Sequence, residues 1–139
     1  MSDTKQIMMT AKEQGIIIPA FNIPYLPMMA PTVQALVETA SFSLIEVAYI
    51  EWVNFEVSLD SVYTEYQKCK HARCTRLHLD HIPVISEDGL ALDYVDIISR
   101  AIDVGYESVM VDGSKLSLAE NIAATRKIVD IAHKAEIPV

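Results

Sequence analysis

Aspartate and histidine stand side by side in the run Leu77-His78-Leu79-Asp80-His81. An imidazole at such a place can hold a metal, and a neighbouring carboxylate can take or give a proton. Three other short apolar runs also close on polar groups. Ile16 to Phe21 leads to Asn22, Leu44 to Ala48 leads to Tyr49 and Glu51, and Ser108 to Val111 leads to Asp112-Gly113-Ser114. If these runs are parallel strands, their polar ends gather at one rim, where α/β folds keep their chemistry. Alternate strand residues face opposite ways. His78 and Asp80 therefore share the inner face, Leu77 and Leu79 pack outward on helices, and His81 sits at the tip with either direction open. Each group also has an ordinary use. His78 serves as a hydrogen-bonded core residue, Asp80 as a loop cap and His81 as a surface residue. Asp112-Gly113-Ser114 serves as a turn, and Asn22 as a tie for the loop toward Pro24.

The elements that would position these groups alternate along the chain. The spacing predicts a short helix over Thr4–Glu13, stopped by Gly15, and then a strand over Ile16–Asn22. A helix over Pro27–Ala40 follows, burying Met29, Val33, Leu36, Val37 and Ala40. A strand over Leu44–Ile50 and a helix over Leu59–Ala72 come next. Thr75–Asp80 reads as the third strand, Ile82–Gly89 as a loop and Leu90–Val104 as a helix ended by Gly105. Ser108–Asp112 reads as the fourth strand. The fourth crossover helix, Leu118–Lys134, opens on the capping box Ser117-x-x-Glu120. Its inner stripe is read as Leu118, Ile122, Thr125, Val129 and Ala132. Ile137-Pro138-Val139 resembles the start of a fifth strand. Strands alternating with helices and apolar on both faces pair in parallel. No Gly-x-Gly-x-x-Gly follows the first strand, which argues against an open dinucleotide-binding sheet. An eight-stranded barrel takes roughly 250 residues, so residues 1–139 are expected to be the N-terminal half of one TIM (β/α)8 barrel domain.

Bulk properties exclude several classes. The chain has 139 residues, 51% of them apolar, and a formal net charge of -8. That charge repels phosphate backbones and argues against nucleic acid as a partner. Gln14–Val37 is uncharged and long enough to span a bilayer, but Pro19, Pro24, Pro27 and Pro31 interrupt it, so no membrane helix is expected. The N-terminus lacks a signal-peptide core, and a cytoplasmic location is the default. Cys69, His71 and Cys74 fit no usual zinc-ligand spacing, and the two cysteines read as reduced thiols near a helix end.

Four segments together carry a resemblance. Ala20-Phe21-Asn22, Leu77-His78-Leu79-Asp80-His81, Val109-Met110-Val111-Asp112-Gly113-Ser114 and Leu118-Ala119-Glu120-Asn121-Ile122 occur in order at matching places. With the leading short helix, they make the chain resemble class II, zinc-dependent fructose-bisphosphate aldolases along nearly its whole length. The resemblance implies a lyase acting on a phosphorylated ketose such as fructose or tagatose bisphosphate, and a homo-oligomer. It implies Zn2+, or another divalent cation, polarising the ketone, with His81 as a metal ligand and Asp80 as the catalytic proton-transfer residue. Asp112 matches an acidic position near the metal, sometimes a second cation ligand. Asn22 lies on the substrate side, and His78 and Ser114 are supporting residues. The family's other zinc histidines, a catalytic glutamate and the phosphate loops are expected beyond Val139. With one clear zinc ligand, the isolated chain is expected to bind zinc weakly, not to turn over, and to self-associate through bare strand edges. Two places depart from the family pattern. Ile82 and the run Tyr49-Ile50-Glu51-Trp52 are bulkier than the small residues usual there, and both are expected to border the substrate. A non-catalytic aldolase-like stabilising subunit is the alternative from another class, and a barrel enzyme using a lysine Schiff base is a third reading.

Overall fold

The computed structural model describes residues 3–139. Its centre is one four-stranded sheet in the order β1-β2-β3-β4. The strands are β1 (Ala20–Asn22), β2 (Ser43–Ala48), β3 (Thr75–Pro83) and β4 (Ser108–Asp112), and all neighbours pair in parallel. Sequential order with parallel pairing requires a crossover helix after each strand. The helices are α1 (Asp3–Glu13), α2 (Met29–Glu38), α3 (Tyr49–Phe55), α4 (Leu59–Cys69), α5 (Tyr94–Val104) and α6 (Leu118–Ala132). Ile45, Val47, Leu77, Leu79 and Val109 on one sheet face join Met29, Val33, Val62, Ile98 and Ile128 of the helices in a continuous core.

Local chemistry sets the element ends as expected in several places. Gly15 adopts φ 67. Its N–H bonds Lys12 O at 3.2 Å, and the Ile16 N–H bonds Ala11 O at 2.8 Å. This is the paired hydrogen bonding of a Schellman stop, whose positive φ glycine adopts without strain. Ser117 and Glu120 form the capping box at the start of α6, and Ser58 with Ser61 forms another on α4. At the base of the sheet, the buried guanidinium of Arg76 pairs with Asp3 of α1 and, at 3.5 Å, with Glu107. This ties the leading helix to the rim opposite the polar strand ends.

Other boundaries move, for physical reasons. β1 begins at Ala20, not Ile16, because β2 begins pairing only at Ser43, leaving Ile16 and Ile17 without a partner strand; Ile17 is 90% exposed. β2 ends at Ala48 rather than Ile50, and Tyr49 and Ile50, expected as strand, open the helix Tyr49–Phe55. Packing overrides their strand propensity: the Trp52 indole donates to Val47 O at 3.1 Å, and Glu56 at φ 52 ends the turn. Pro27 lies in a 3-10 turn before α2, and Ala40 leaves the helix at φ 51. The predicted loop at Ile82 is strand, since Ile82 and Pro83 pair with Val111 and Asp112. α5 starts late, capped by Asp93, after a turn over Ser86–Gly89.

The inner face of α6 also differs from expectation. Ala124, Ile128 and Ala132 are buried, whereas Leu118 is 78% exposed and Ile122 is 49% exposed. The helix carries two apolar stripes, and β4 selects the one rotated away from Leu118. After α6 the chain returns to the sheet edge, where the Val109 N–H bonds Pro138 O at 3.1 Å. The run beginning at Ile137 thus lies beside β4. No helix among the described residues is long and apolar enough to cross a membrane.

Candidate active site

Strand register places one row of polar residues straight across the inner face. Asn22 pairs with Glu46, Glu46 with His78, and His78 with Ser108. One layer nearer the rim, Asp80 stands beside Ala48. The opposite face is apolar, as alternation requires. His78 and Asp80 therefore share the inner face, and Leu77 and Leu79 are fully buried against the helices.

His81 owes its position to a break in that alternation. Leu79 pairs with Val109 and Ile82 with Val111, so Asp80-His81 together oppose Met110. This is a β-bulge, and His81 takes the left-handed conformation at φ 44. A regular strand would send the His81 side chain into the helix layer. The bulge leaves it at the rim, 56% exposed, with Nδ1 at 3.3 Å from Asp112 Oδ2 and Nε2 at 3.9 Å from Asp80 Oδ1. The same extra residue sends Ile82 outward into the core with no exposed surface. Ile82 therefore does not border the cleft, contrary to the sequence expectation.

The rim opens into a cleft of about 710 Å³ lined by Asn22, Tyr49, Glu51, Asp80, His81 and Asp112, among others. Tyr49, Ile50 and Glu51 line it from a helix, whereas Trp52 of the same run does not. The Asn22 carbonyl accepts from Ala48 N at 3.4 Å, which leaves its amide N–H donors available. Asp112 Oδ1 accepts from Ser114 N at 2.8 Å. Burial pushes the Asp112 carboxyl up, but hydrogen bonds from Ser114 and His81 outweigh it and hold the group below the usual carboxylate range. The Asp80 carboxyl is raised, first by burial, against the opposing charge of His81. His78 Nδ1 meets Ser108 Oγ at 2.8 Å.

Glu46 is the group that sequence reasoning missed. Its signal was present: it is the single charge inside the apolar run Ser43–Ala48. One ligand atom from each of Glu46, His78 and Asp80 lies within 4.8 Å of the others, and among the described residues this is the metal-competent group. Cys69, His71 and Cys74 form no such group, and both thiols are free.

Two predictions arise here. Burial and then the charge of Asp80 push Glu46 up to about 7, whereas burial and then the charge of His81 pull His78 down to about 4. Their ordinary values are 4.5 and 6.5. The folded state takes up a proton at Glu46 between pH 4.5 and 7, so that contribution to stability falls as pH rises through this window. His78 stays neutral while the unfolded chain protonates, so its contribution is lost as pH falls from 6.5 toward 4. The slopes oppose where they overlap. Glu46→Gln removes the first, so the variant's urea midpoint, measured with chelator present, should climb steadily from pH 4 to 6.5 and then stay level. A profile parallel to that of the wild type would contradict the assignment. Separately, a Cβ at Gly113 would lie 2.5 Å from Asn121 Cγ and Oδ1. Gly113→Ala should destabilise by about 1–3 kcal/mol and disturb the turn holding Asp112, read as a lower urea midpoint. Unchanged stability would mean that Asn121 swings aside freely.

A family model for class II fructose-bisphosphate aldolases matches residues 2–139. Among solved structures, the YdjI aldolase of Escherichia coli K12 superposes with a TM-score of 0.76 at 26% identity, over 99% of this chain and 50% of its own. A fructose-1,6-bisphosphate aldolase candidate from Coccidioides immitis superposes with a TM-score of 0.69 at 24% identity, over 95% of this chain and 48% of its own. The second likeness speaks for the fold alone. The chain thus spans about half the length of the solved structures it matches, and its four-stranded sheet corresponds to half of their barrel.

Proposed function

The chain belongs to the class II fructose-bisphosphate aldolase family, and from that premise we propose that the complete barrel makes or breaks a carbon–carbon bond in a phosphorylated ketose, with Asp80 moving the proton. In this reading the chain is the N-terminal half of a longer barrel domain, and the assembled protein is a homo-oligomer. The observation that carries the reading is the convergence at one rim of Asp80, His81 and Asp112, with both carboxylates flanking the imidazole at 3.9 and 3.3 Å.

The residues divide the work as follows. During cleavage the Asp80 carboxylate accepts the proton of the hydroxyl next to the breaking bond. The O–H electrons form the aldehyde carbonyl, and the carbon–carbon pair moves toward the ketone. In condensation the proton returns by the same path. Burial raises the Asp80 carboxyl, which makes it a better proton acceptor than an exposed aspartate. His81 presents an exposed imidazole, held by Asp112, and this nitrogen donor flanked by carboxylate oxygens suits zinc. A divalent cation bound there would supply Lewis acidity to the ketone oxygen. Asn22 offers its amide to a substrate oxygen, and His78, braced by Ser108, supports Asp80 from the layer beneath.

The test is an assay of the complete barrel on fructose 1,6-bisphosphate and tagatose 1,6-bisphosphate, before and after a chelator. Cleavage of at least one, lost with metal removal and regained with zinc, is the expected result, and the isolated chain should turn over neither. A complete barrel inactive on both would overturn the reading in favour of a non-catalytic aldolase-like subunit.

A further inference from the structure

We propose that the inner face of the sheet holds a second divalent cation, one layer beneath the rim, on Glu46, His78 and Asp80. The seat excludes His81, the residue to which the proposed function gives the rim ion. It shares Asp80 with that reading and deepens it: an ion there would fix the orientation of the Asp80 carboxylate through one oxygen.

Geometry supplies the first argument. Glu46 and His78 are register partners on adjacent strands, and Asp80 lies two residues along on the same face. Rigid strands thus deliver one oxygen, one nitrogen and one oxygen to a common point, within 4.8 Å of one another. Bonds of about 2.0–2.6 Å put two ligands of one ion at most roughly 4–5 Å apart. The observed span lies at the open end of that range, and side-chain rotation closes it.

Second, the imidazole is already oriented for the task. His78 Nδ1 is occupied by Ser108 Oγ at 2.8 Å, and Ser108 is 1% exposed. A partner on one ring nitrogen fixes the ring and leaves Nε2 as the free donor, the usual support of a metal-bound histidine.

Third, the charges call for a cation. Glu46 and Asp80 bring two carboxylates to one point on the inner face, and Glu51 lines the same cleft as Asp80. Glu51 Oε2 is itself buried without a hydrogen-bond partner. A divalent ion would displace the proton from Glu46, and the two carboxylates with a neutral imidazole would then match its charge. One nitrogen and two oxygen donors favour zinc, cobalt or manganese over calcium.

The experiment titrates the metal-free chain with cobalt(II), following visible absorption and equilibrium dialysis. One cobalt per chain is expected. Glu46→Gln and Ser108→Ala should each weaken binding by roughly tenfold or more, whereas His81→Ala should retain one-to-one binding. Ser108→Ala retains all three ligands, so its effect reports the imidazole brace even if the glutamine variant folds poorly. Absence of stoichiometric binding overturns the proposal. So does loss of binding in His81→Ala with retention in Glu46→Gln, an outcome that places the ion at the rim and leaves the aldolase reading standing. A near-ultraviolet thiolate-to-cobalt band would assign the ion to Cys69 or Cys74 and also overturn it.

Discussion

Asp80→Asn in the complete barrel should lower kcat by about 10³-fold, within the 10²–10⁴ range of general acid–base catalysis. The amide keeps the shape of the carboxylate and loses the ability to accept a proton. Substrate contacts made by the rest of the cleft remain, so kcat falls more than KM rises. The pH profile separates this role from a structural one. The wild type should lose activity as pH falls and the Asp80 carboxylate protonates, and because burial raises that group, the loss sets in at a higher pH than an ordinary aspartate would give. The variant's residual rate should lack that limb. A variant within a few-fold of the wild type would remove Asp80 from the reaction and with it the proposed mechanism. A variant that retains the acid limb would assign the limb to another group, with Glu46 as the first candidate.

Ile82→Ala should cost about 2–5 kcal/mol of stability, the range for emptying a filled aliphatic site. Ile82 is fully buried in the core beneath the helices, immediately after the bulge that carries His81. Its side chain is what the bulge sends outward, so the cavity would loosen the same turn that presents the imidazole. Urea denaturation checks the size of the effect, and the rim should respond as well, through weaker metal retention by the complete barrel. An opposite expectation follows from the sequence, where Ile82 stands beside Asp80-His81 and suggests a residue bordering the substrate. In that case alanine would enlarge the cleft and alter substrate preference at little cost in stability. A stable Ile82→Ala variant with changed substrate preference would therefore contradict the bulged register.

What the amino-acid order determined by itself was the alternation of strands and helices, the parallel sheet and the family. Apolar runs bounded by Gly15, Gly105 and the Ser117–Glu120 box report on local energetics, and local energetics survive into the fold. The polar ends Asn22, Asp80-His81 and Asp112 were legible for a related reason: a strand's alternation and its C-terminal end are properties of the strand alone. Tertiary structure decided the rest. The bulge at Asp80-His81 is a relation between β3 and β4, so neither strand announces it, yet it determines which way His81 and Ile82 face. Glu46 joins His78 only through register, which is a property of pairs of strands. Leu118 and Ile122 show the same limit, since a helix with two apolar stripes is turned by the sheet it meets. Tyr49 and Ile50 became helix rather than strand, in a turn whose Trp52 indole bonds a carbonyl of the preceding strand. Each of these outcomes depends on a partner distant along the chain, and sequence periodicity carries information only about near neighbours.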